Sequence, residues 1–340
     1  RRNWRSNLKA VAQNNPSALW VHAASLGEME QGLPVIEKWR QLYPAQKIVV
    51  SFFSPSGYEN FKQRHLVNEV LYLPLDTPSN AGYFVNTLKP KLALFIKYEI
   101  WVNYFKALHQ AKIPVVLAPA VFRTNQIYFS KWGSAFFLPI LKNIDAILVQ
   151  NQASLNLLQS HGLKNTSLCG DTRFDRVKTL VNSTFDTQKL DEFVDSKFCV
   201  IGGSSWPVEE EMLLQLLEKN PFVKLILAPH LIDAENIERL KNTFKSFGVN
   251  LYTQAKWLKN NRVLLVNTMG NLSKLYRVGN LAFVGGGFGE GVHSTVEPIG
   301  YKIPVCFGPN HKKFVEPSEM IEAGFGFEIH TAQDLLSLCA

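Results

Sequence analysis

Cysteine is scarce in this chain of 340 residues, and the four present, Cys169, Cys199, Cys306 and Cys339, stand far apart. Such spacing draws no zinc site and no disulfide framework. The apolar neighbours of three of them predict buried thiols in a reducing compartment. Long apolar runs are also missing. The longest, residues 91–96 (KLALFI) and 114–122 (PVVLAPAVF), fall far short of the roughly 20 residues that cross a bilayer, and no signal-peptide pattern is present. With 46% hydrophobic and 19% charged residues, the composition excludes a disordered chain. There is no Walker A lysine loop and no G-x-S-x-G elbow. No Asp-x-Asp triplet stands ready to hold a divalent metal on a nucleotide diphosphate, so metal-independent chemistry is expected, with no metal site and no cofactor.

What is present is a basic excess. Lys and Arg number 36 against 28 Asp and Glu, a net charge of +8, which suits nucleic acid, phosphorylated small molecules or an acidic membrane surface. The chain opens on Arg1 rather than methionine, with Arg2, Trp4, Arg5 and Lys9 close behind. We read this as the trace of a removed upstream segment. Basic residues beside a tryptophan are what lies just inside a membrane anchor, although a frayed basic terminus is the simpler reading.

The length predicts two domains. From about residue 18, short apolar runs (ALWVHAA, KIVVSFF, EVLYLPL, LALFIKY, PVVLAPA, AILVQ, TSLCG) alternate with amphipathic stretches, the pattern of β-α-β units and parallel strands covered on both faces. A second series follows: FCVIGGS, VKLILAP, VNLYTQ, RVLLVN, LAFVGG and IPVCFG. The charged, strand-poor stretch 173–197 reads as a linker between a domain at 1–172 and another at 198–340. Two Rossmann-like halves predict ligand binding in a cleft, at strand-to-helix loops.

The richest such loop lies in 283–314 (FVGGGFGEGVHSTVEPIGYKIPVCFGPNHKKF). Gly285, Gly286, Gly287, Gly289 and Gly291 would let backbone N–H groups approach an anion, and a helix beginning near His293 and Ser294 would point its positive end there. Glycines used only for their permitted backbone angles are the alternative. Glu297, on the first turn of that helix, suits a ribose diol, and Lys312 and Lys313 would counter phosphate charge. In the first half, Ser25-Leu26-Gly27-Glu28 follows a strand. There Gly27 permits a tight turn, and Glu28 in the first helical turn is a candidate base or a plain helix-start glutamate. Glu99, wedged among aromatic and apolar neighbours, needs a partner such as Arg123 or a task, and Arg123 could equally hold an anionic group. Ser54 and Ser56 read as helix-capping hydroxyls around Pro55. Gly202-Gly203-Ser204-Ser205-Trp206, before Glu209, Glu210 and Glu211, is a phosphate-loop candidate or a cap. Main-chain groups at Pro229 and His230 could read a base, and Asn267-Thr268-Met269-Gly270 offers a similar polar edge.

These residues together resemble the 3-deoxy-D-manno-octulosonic acid (Kdo) transferases of Gram-negative bacteria, over nearly the whole chain. The likeness is carried by 22–28 (HAASLGE, like HAxSxGE), Ser54-Pro55-Ser56-Gly57, 99–103 (EIWVN, like ExWPN), 170–175 (GDTRFD, like GNxKFD), 267–270, and 285–298 with Phe307-Gly308-Pro309 after it. Departures are Val102 for the proline of ExWPN, Gly291-Val292-His293-Ser294 for GGHN, and Ala228-Pro229-His230 where the family has an arginine-containing motif. The resemblance implies a GT-B fold with an acceptor-binding first domain and a nucleotide-sugar-binding second one. It implies inverting transfer of Kdo from CMP-Kdo to the lipid A precursor, with Glu28 as the base and Glu99 as a second essential carboxylate. Ser25, Gly27, Ser54, Ser56 and Arg123 would serve substrate. Pro229, His230, Met269, Gly270, Gly286, Gly287, His293, Ser294 and Glu297 would surround CMP, with Lys312 and Lys313 near its phosphate. The implied setting is the cytoplasmic face of the bacterial inner membrane, on an anionic surface and away from nucleic acid, with an N-terminal anchor outside this chain. A GT-B-type sugar-nucleotide epimerase and a non-catalytic two-lobed binding protein are the competing readings.

Overall fold

The computed structural model describes residues 3–97 and 99–339. The chain divides into two compact units, Arg1–Asp175 and Arg176–Ala340. The first carries the parallel strands β1 (Leu19–Ala23), β2 (Ile48–Phe52), β3 (Glu69–Tyr72), β4 (Leu92–Phe95), β5 (Val115–Ala120), β6 (Ala146–Val149) and β7 (Thr166–Leu168), in the order β3-β2-β1-β4-β5-β6-β7. The second carries β8 (Phe198–Ser205), β9 (Val223–Pro229), β10 (Val249–Leu251), β11 (Val263–Leu265), β12 (Leu281–Val284), β13 (Val305–Phe307) and β14 (Gly326–Glu328), in the order β10-β11-β9-β8-β12-β13-β14. Each expected apolar run forms its strand. One further strand, β14, was not expected, because its three residues include a glycine and an exposed glutamate and carry no alternation to read.

Apolar continuity has the expected cause, because both faces of each sheet are buried. In the first unit Trp20 and Val49 point to a cluster with Phe84, Phe95 and Tyr104. Their neighbours Leu19, Val21, Ile48 and Val50 point to the opposite cluster with Met29, Leu33 and Ile36 from the helix Leu26–Leu42. Period-2 alternation thus sends apolar side chains into two cores at once. The second sheet repeats this, with Val200 and Leu225 on one face and Ile201 and Ile226 on the other. Two of the expected buried thiols, Cys199 and Cys306, lie in these strands, but Cys169 is exposed just beyond β7, at the sheet edge, and Cys339 is half-buried. No helix of the described residues is long and apolar enough to cross a membrane.

Polar groups inside the first sheet are tied together. The Trp20 indole N–H donates to Ser51 Oγ at 2.8 Å, and His22 Nδ1 lies 2.9 Å from the same oxygen and 3.1 Å from the Ser51 carbonyl. His22 is buried edge-on to Trp101 and Phe95, and its Nε2 has no hydrogen-bond partner among the described residues. Burial holds the imidazole down to about 3, against a small upward pull from the Ser51 carbonyl. An unfolded chain takes up a proton at this residue near pH 6.5, whereas the folded chain resists until about pH 3. Its stabilising contribution is therefore fully present above pH 6.5 and drains away as pH falls through that window. His22→Gln should flatten the fall in stability between pH 6.5 and 4.5 relative to the wild type, as measured by urea unfolding at several pH values. Parallel slopes would place the acid sensitivity elsewhere.

Candidate functional site

In each sheet the first strand is flanked by its successor on one side and by a later strand on the other, β2 and β4 around β1, and β9 and β12 around β8. Loops leaving the carboxyl ends of such a pair run to opposite faces and leave a crevice between them. Glu28, Glu99, Trp206 and the glycine loop stand at these two edges, whereas Arg123 follows β5, Met269 and Gly270 follow β11, and Lys312 and Lys313 follow β13.

After β1 the chain caps the helix Leu26–Leu42. Ser25 Oγ accepts from the Glu28 N–H, and Glu28 Oε2 accepts from the Ala24 N–H at 2.7 Å and the Ser25 N–H at 3.3 Å, a reciprocal capping box. The carboxylate is thus held in one place by main-chain donors, while Oε1 has no partner among the described residues. The Ser25-x-x-Glu28 spacing carries this signal in the sequence. Gly27 differs from expectation. It makes no tight turn but lies inside the helix, and a Cβ there would meet nothing within 4 Å, so the absent side chain leaves open space beside Glu28. The Ser54 N–H donates to the Ala24 carbonyl at 2.8 Å, binding the loop after β2 to this one. Ser54 caps the helix Pro55–Asn60 as expected, with Ser56 Oγ 2.9 Å from its own hydroxyl.

Glu99 follows β4 on the other side of the crevice. Its carboxyl is pushed up, first by burial and then by the Glu28 charge, with the Trp101 indole and Lys97 pulling the other way. The charges that act on it are Glu28 and Lys97. Arg123, the expected partner, is exposed beyond β5 with its main-chain N–H on Gln126 Oε1. Trp101 packs against His22 and Phe53. The helix it precedes, Val102–Gln110, is capped by Asp76, which accepts from the Asn103 and Tyr104 N–H groups at 3.1 to 3.2 Å. Asp76 escaped the sequence reading because a cap supplied from 27 residues upstream leaves no local pattern.

The second unit qualifies one expectation. Most N–H groups of the glycine loop after β12 are paired within the protein. Gly285 donates to the Gly203 carbonyl, Gly289 and Gly291 to Gly286, Val292 to Asn310, and His293 to Gly285. The Gly286 N–H goes to the Glu209 carboxylate at 2.8 Å. The glycines serve close packing instead: a Cβ on Gly285 would lie 2.2 Å from the Ser204 carbonyl, and one on Gly287 would lie 2.5 Å from the Gly308 nitrogen. Glu209 also accepts from the Trp206 N–H at 3.1 Å and starts the helix Pro207–Lys219. Burial pushes its carboxyl up despite these donors.

Around that loop sits an aromatic column absent from the sequence reading. Trp206 after β8 stacks on His230 after β9 (4.5 Å, 21°), His230 stacks on His293 (4.7 Å, 20°), and the Trp206 indole N–H donates to His293 Nε2 at 3.1 Å. An aromatic immediately after the first strand of a doubly wound sheet was the available signal. His293 is pushed down by burial and by His230. Pro229 is the buried end of β9, and His230 is anchored by its N–H on the Ser205 carbonyl. The helix expected from His293 and Ser294 begins only at Val296, because His293 returns its N–H to the loop. Glu297 lies on its first turn, its carboxyl raised by burial and pulled back by Arg176. Met269 is 77% exposed beside Gly270, whose φ of +81° makes a turn beyond β11. Lys313 donates to the Glu290 carbonyl at 2.7 Å, tying the segment after β13 to the glycine loop, and Lys312 is exposed beside it.

Comparison with known proteins gives a consistent result. A family model described as 3-deoxy-D-manno-octulosonic-acid transferase (kdotransferase) matches residues 2–176. A 3-deoxy-D-manno-octulosonic acid transferase of Aquifex aeolicus is 29% identical over 340 residues, spanning 97% of this chain and 87% of the relative. One of Haemophilus influenzae is 28% identical over 338 residues, spanning 94% and 78%. Among solved structures, a UDP-GlcNAc 2-epimerase from Neisseria meningitidis bound to UDP-GlcNAc resembles the chain with a TM-score of 0.66 at 16% identity, over 94% of this chain and 89% of that one. That last likeness shows the fold, which is of the GT-B class.

Replacing Glu28 by Gln removes the neighbouring negative charge, so the raised Glu99 carboxyl should titrate lower, closer to its ordinary range. Carboxylate chemical shifts in the 13C-labelled Glu28→Gln protein, followed against pH, measure this. An unmoved Glu99 would mean the two groups do not sense each other.

Proposed function

Because the chain belongs to the 3-deoxy-D-manno-octulosonic-acid transferase family and is a glycosyltransferase, we propose that it moves Kdo from CMP-Kdo to a hydroxyl of the lipid A precursor with inversion. Glu28 acts as the general base: its Oε1 takes the proton of the attacking hydroxyl as the new glycosidic bond forms and the bond to the CMP phosphate breaks. The observation that carries this reading is the pair of carboxylates at the reversal of the first sheet, Glu28 fixed by the Ala24 and Ser25 N–H groups and Glu99 coupled to it. Glu99, its carboxyl raised by burial and by Glu28, would serve as a second carboxylate at the same edge, with Ser25, Ser54 and Ser56 beside it and open space at Gly27. Arg123 would meet an anionic group of the acceptor.

The second unit would receive the donor. His293, Ser294, Lys312 and Lys313 supply hydrogen bonds and positive charge for the CMP phosphate. Gly286 and Gly287 set the loop, and Glu297 serves the ribose. Pro229, His230, Met269 and Gly270 border the base. An acceptor with acyl chains and phosphates fits a further feature of the first unit. The helix Lys131–Lys142 exposes Trp132 (92%) and Phe136 (51%), with Ile127 (62%) just before it. Lys106 lies 5.5 Å from the Phe136 ring. Aromatic side chains ringed by lysines suit an anionic membrane surface, which supports action at the cytoplasmic face of the inner membrane.

Mass spectrometry of lipid products after incubation with CMP-Kdo tests the reaction. Glu28→Ala should lower transfer by roughly 10²- to 10⁴-fold while leaving calorimetric CMP binding intact and CMP preferred over UDP. A folded Glu28→Ala protein with normal turnover refutes the assignment of the base. The double substitution Trp132→Ser with Phe136→Ser should reduce sedimentation with phosphatidylglycerol vesicles but spare transfer to a deacylated acceptor. Unchanged sedimentation would remove the helix from the membrane contact.

A further inference from the structure

Tryptophan can donate a hydrogen bond through its indole nitrogen and cannot accept one there. The 3.1 Å contact from Trp206 Nε1 to His293 Nε2 therefore requires Nε2 to be the bare nitrogen of a neutral ring, and the proton sits on Nδ1. The ring has little freedom to escape this arrangement. Its edge packs over Gly286, where a Cβ would lie 2.9 Å from His293 Cδ2 and 3.2 Å from Nε2. Its face stacks on His230, and its main-chain N–H is fixed to the Gly285 carbonyl. Trp206 is itself held, by its N–H on Glu209 and its face on His230, while the other oxygen of Glu209 fastens Gly286. No described residue accepts from Nδ1, and the ring is half-buried rather than enclosed.

We infer that Trp206 is a positioning residue that locks His293 in the Nδ1–H tautomer, so that this N–H is presented as a fixed, uncharged donor to an anionic oxygen of the bound nucleotide. The inference rests on reading the second unit as the donor-nucleotide site. In water the Nε2–H tautomer of a free imidazole competes and protonation adds a third form, so an unheld ring would offer the correct donor only part of the time. The groups that face His293 are His230 from the end of β9, Trp206 from the end of β8 and, across the loop, the Glu209 carboxylate. On the loop side, Glu290 is tied to Lys313 through its main chain. His230 and burial both oppose a second proton on His293, and the indole N–H opposes it further, because protonation would set two donors against each other. His293 should accordingly add little to the pH dependence of nucleotide binding between pH 6 and 8 in the wild type, beyond the titration of the CMP phosphate, which variant and wild type share. Without the indole N–H the ring titrates higher. Binding at pH 8 weakens, and acid restores it by creating an imidazolium that attracts phosphate.

The experiment is Trp206→Phe, which keeps an aromatic face on His230 and removes the donor. Nitrogen-15 shifts of the imidazoles, read without ligand, should show His293 as the Nδ1–H tautomer in the wild type and as a mixture or the Nε2–H form in Trp206→Phe. Calorimetry with CMP should show affinity at pH 8 lowered roughly fivefold relative to the wild type at the same pH, the worth of about one neutral hydrogen bond, with most of that difference gone at pH 6. In a His293→Asn background, whose amide can donate from near the Nδ1 position whatever Trp206 does, Trp206→Phe should change CMP affinity by less than twofold, so the two substitutions couple. An unchanged tautomer in Trp206→Phe, or equal losses with and without His293→Asn, would overturn the inference and leave Trp206 a packing residue. A locked tautomer in a wild type that fails to bind CMP at all would instead overturn the reading of the second unit as the nucleotide site.

Discussion

A parallel sheet that is wound outward from its first strand, and then outward again on the other side, must part its loops at that strand. This constraint places the two helix-start glutamates, Glu28 and Glu209. In the first unit the chain leaves β1 for one face and β4 for the other, and the hydrogen bond from Ala24 to Glu28 fixes a carboxylate at the parting. In the second unit the same reversal lies between β8 and β12, and the bond from Gly286 to Glu209 crosses it. The two sites use the same motif, a glutamate three residues into a helix accepting main-chain N–H groups, to opposite ends. Glu28 uses one oxygen for main-chain donors and leaves the other without a partner among the described residues, whereas Glu209 spends both of its oxygens tying two loops together.

Electrostatics at the first site follow from this spacing. Glu99 is partly desolvated and feels the Glu28 charge, and both effects raise its carboxyl. The surrounding structure is rigid where it matters. His22 and Ser51 are buried beneath the loops, Trp101 is clamped between aromatic rings, and Asp76 caps the helix that follows.

Much of this was legible in the sequence because the physics behind it is local. Runs such as residues 48–53 announce strands buried on both faces, and Ser54-Pro55 announces a helix start that the structure contains. Glu28 was legible because a capping box lies within four residues of chain. The glycine loop was less legible for the converse reason. Five glycines declare that the backbone comes close to something, but not whether that something is a ligand or the rest of the protein. The partners of Gly285 and Gly287 lie on β8 and beyond β13, and the acceptor for Gly286 lies 77 residues upstream. Trp206 was invisible on the same grounds, since its significance depends on two histidines brought to it by other strands.

With most of the loop N–H groups paired internally, an anion bound here, as proposed above, would be held largely by side chains and the short helix start, and this changes the character of such a site. Main-chain donors would be fixed and insensitive to pH. Lysines and imidazoles titrate, move and can be mispositioned. A site built from them gains by restraints on each group, and the structure supplies two. Lys313 is held to the glycine loop through the Glu290 carbonyl, and His293 is held between a stacked histidine and an indole donor. Burial that lowers the basicity of His293 also keeps its ring neutral at rest. On the proposed reading, a neutral His293 adds no further positive charge beside Lys312 and Lys313 before a phosphate enters.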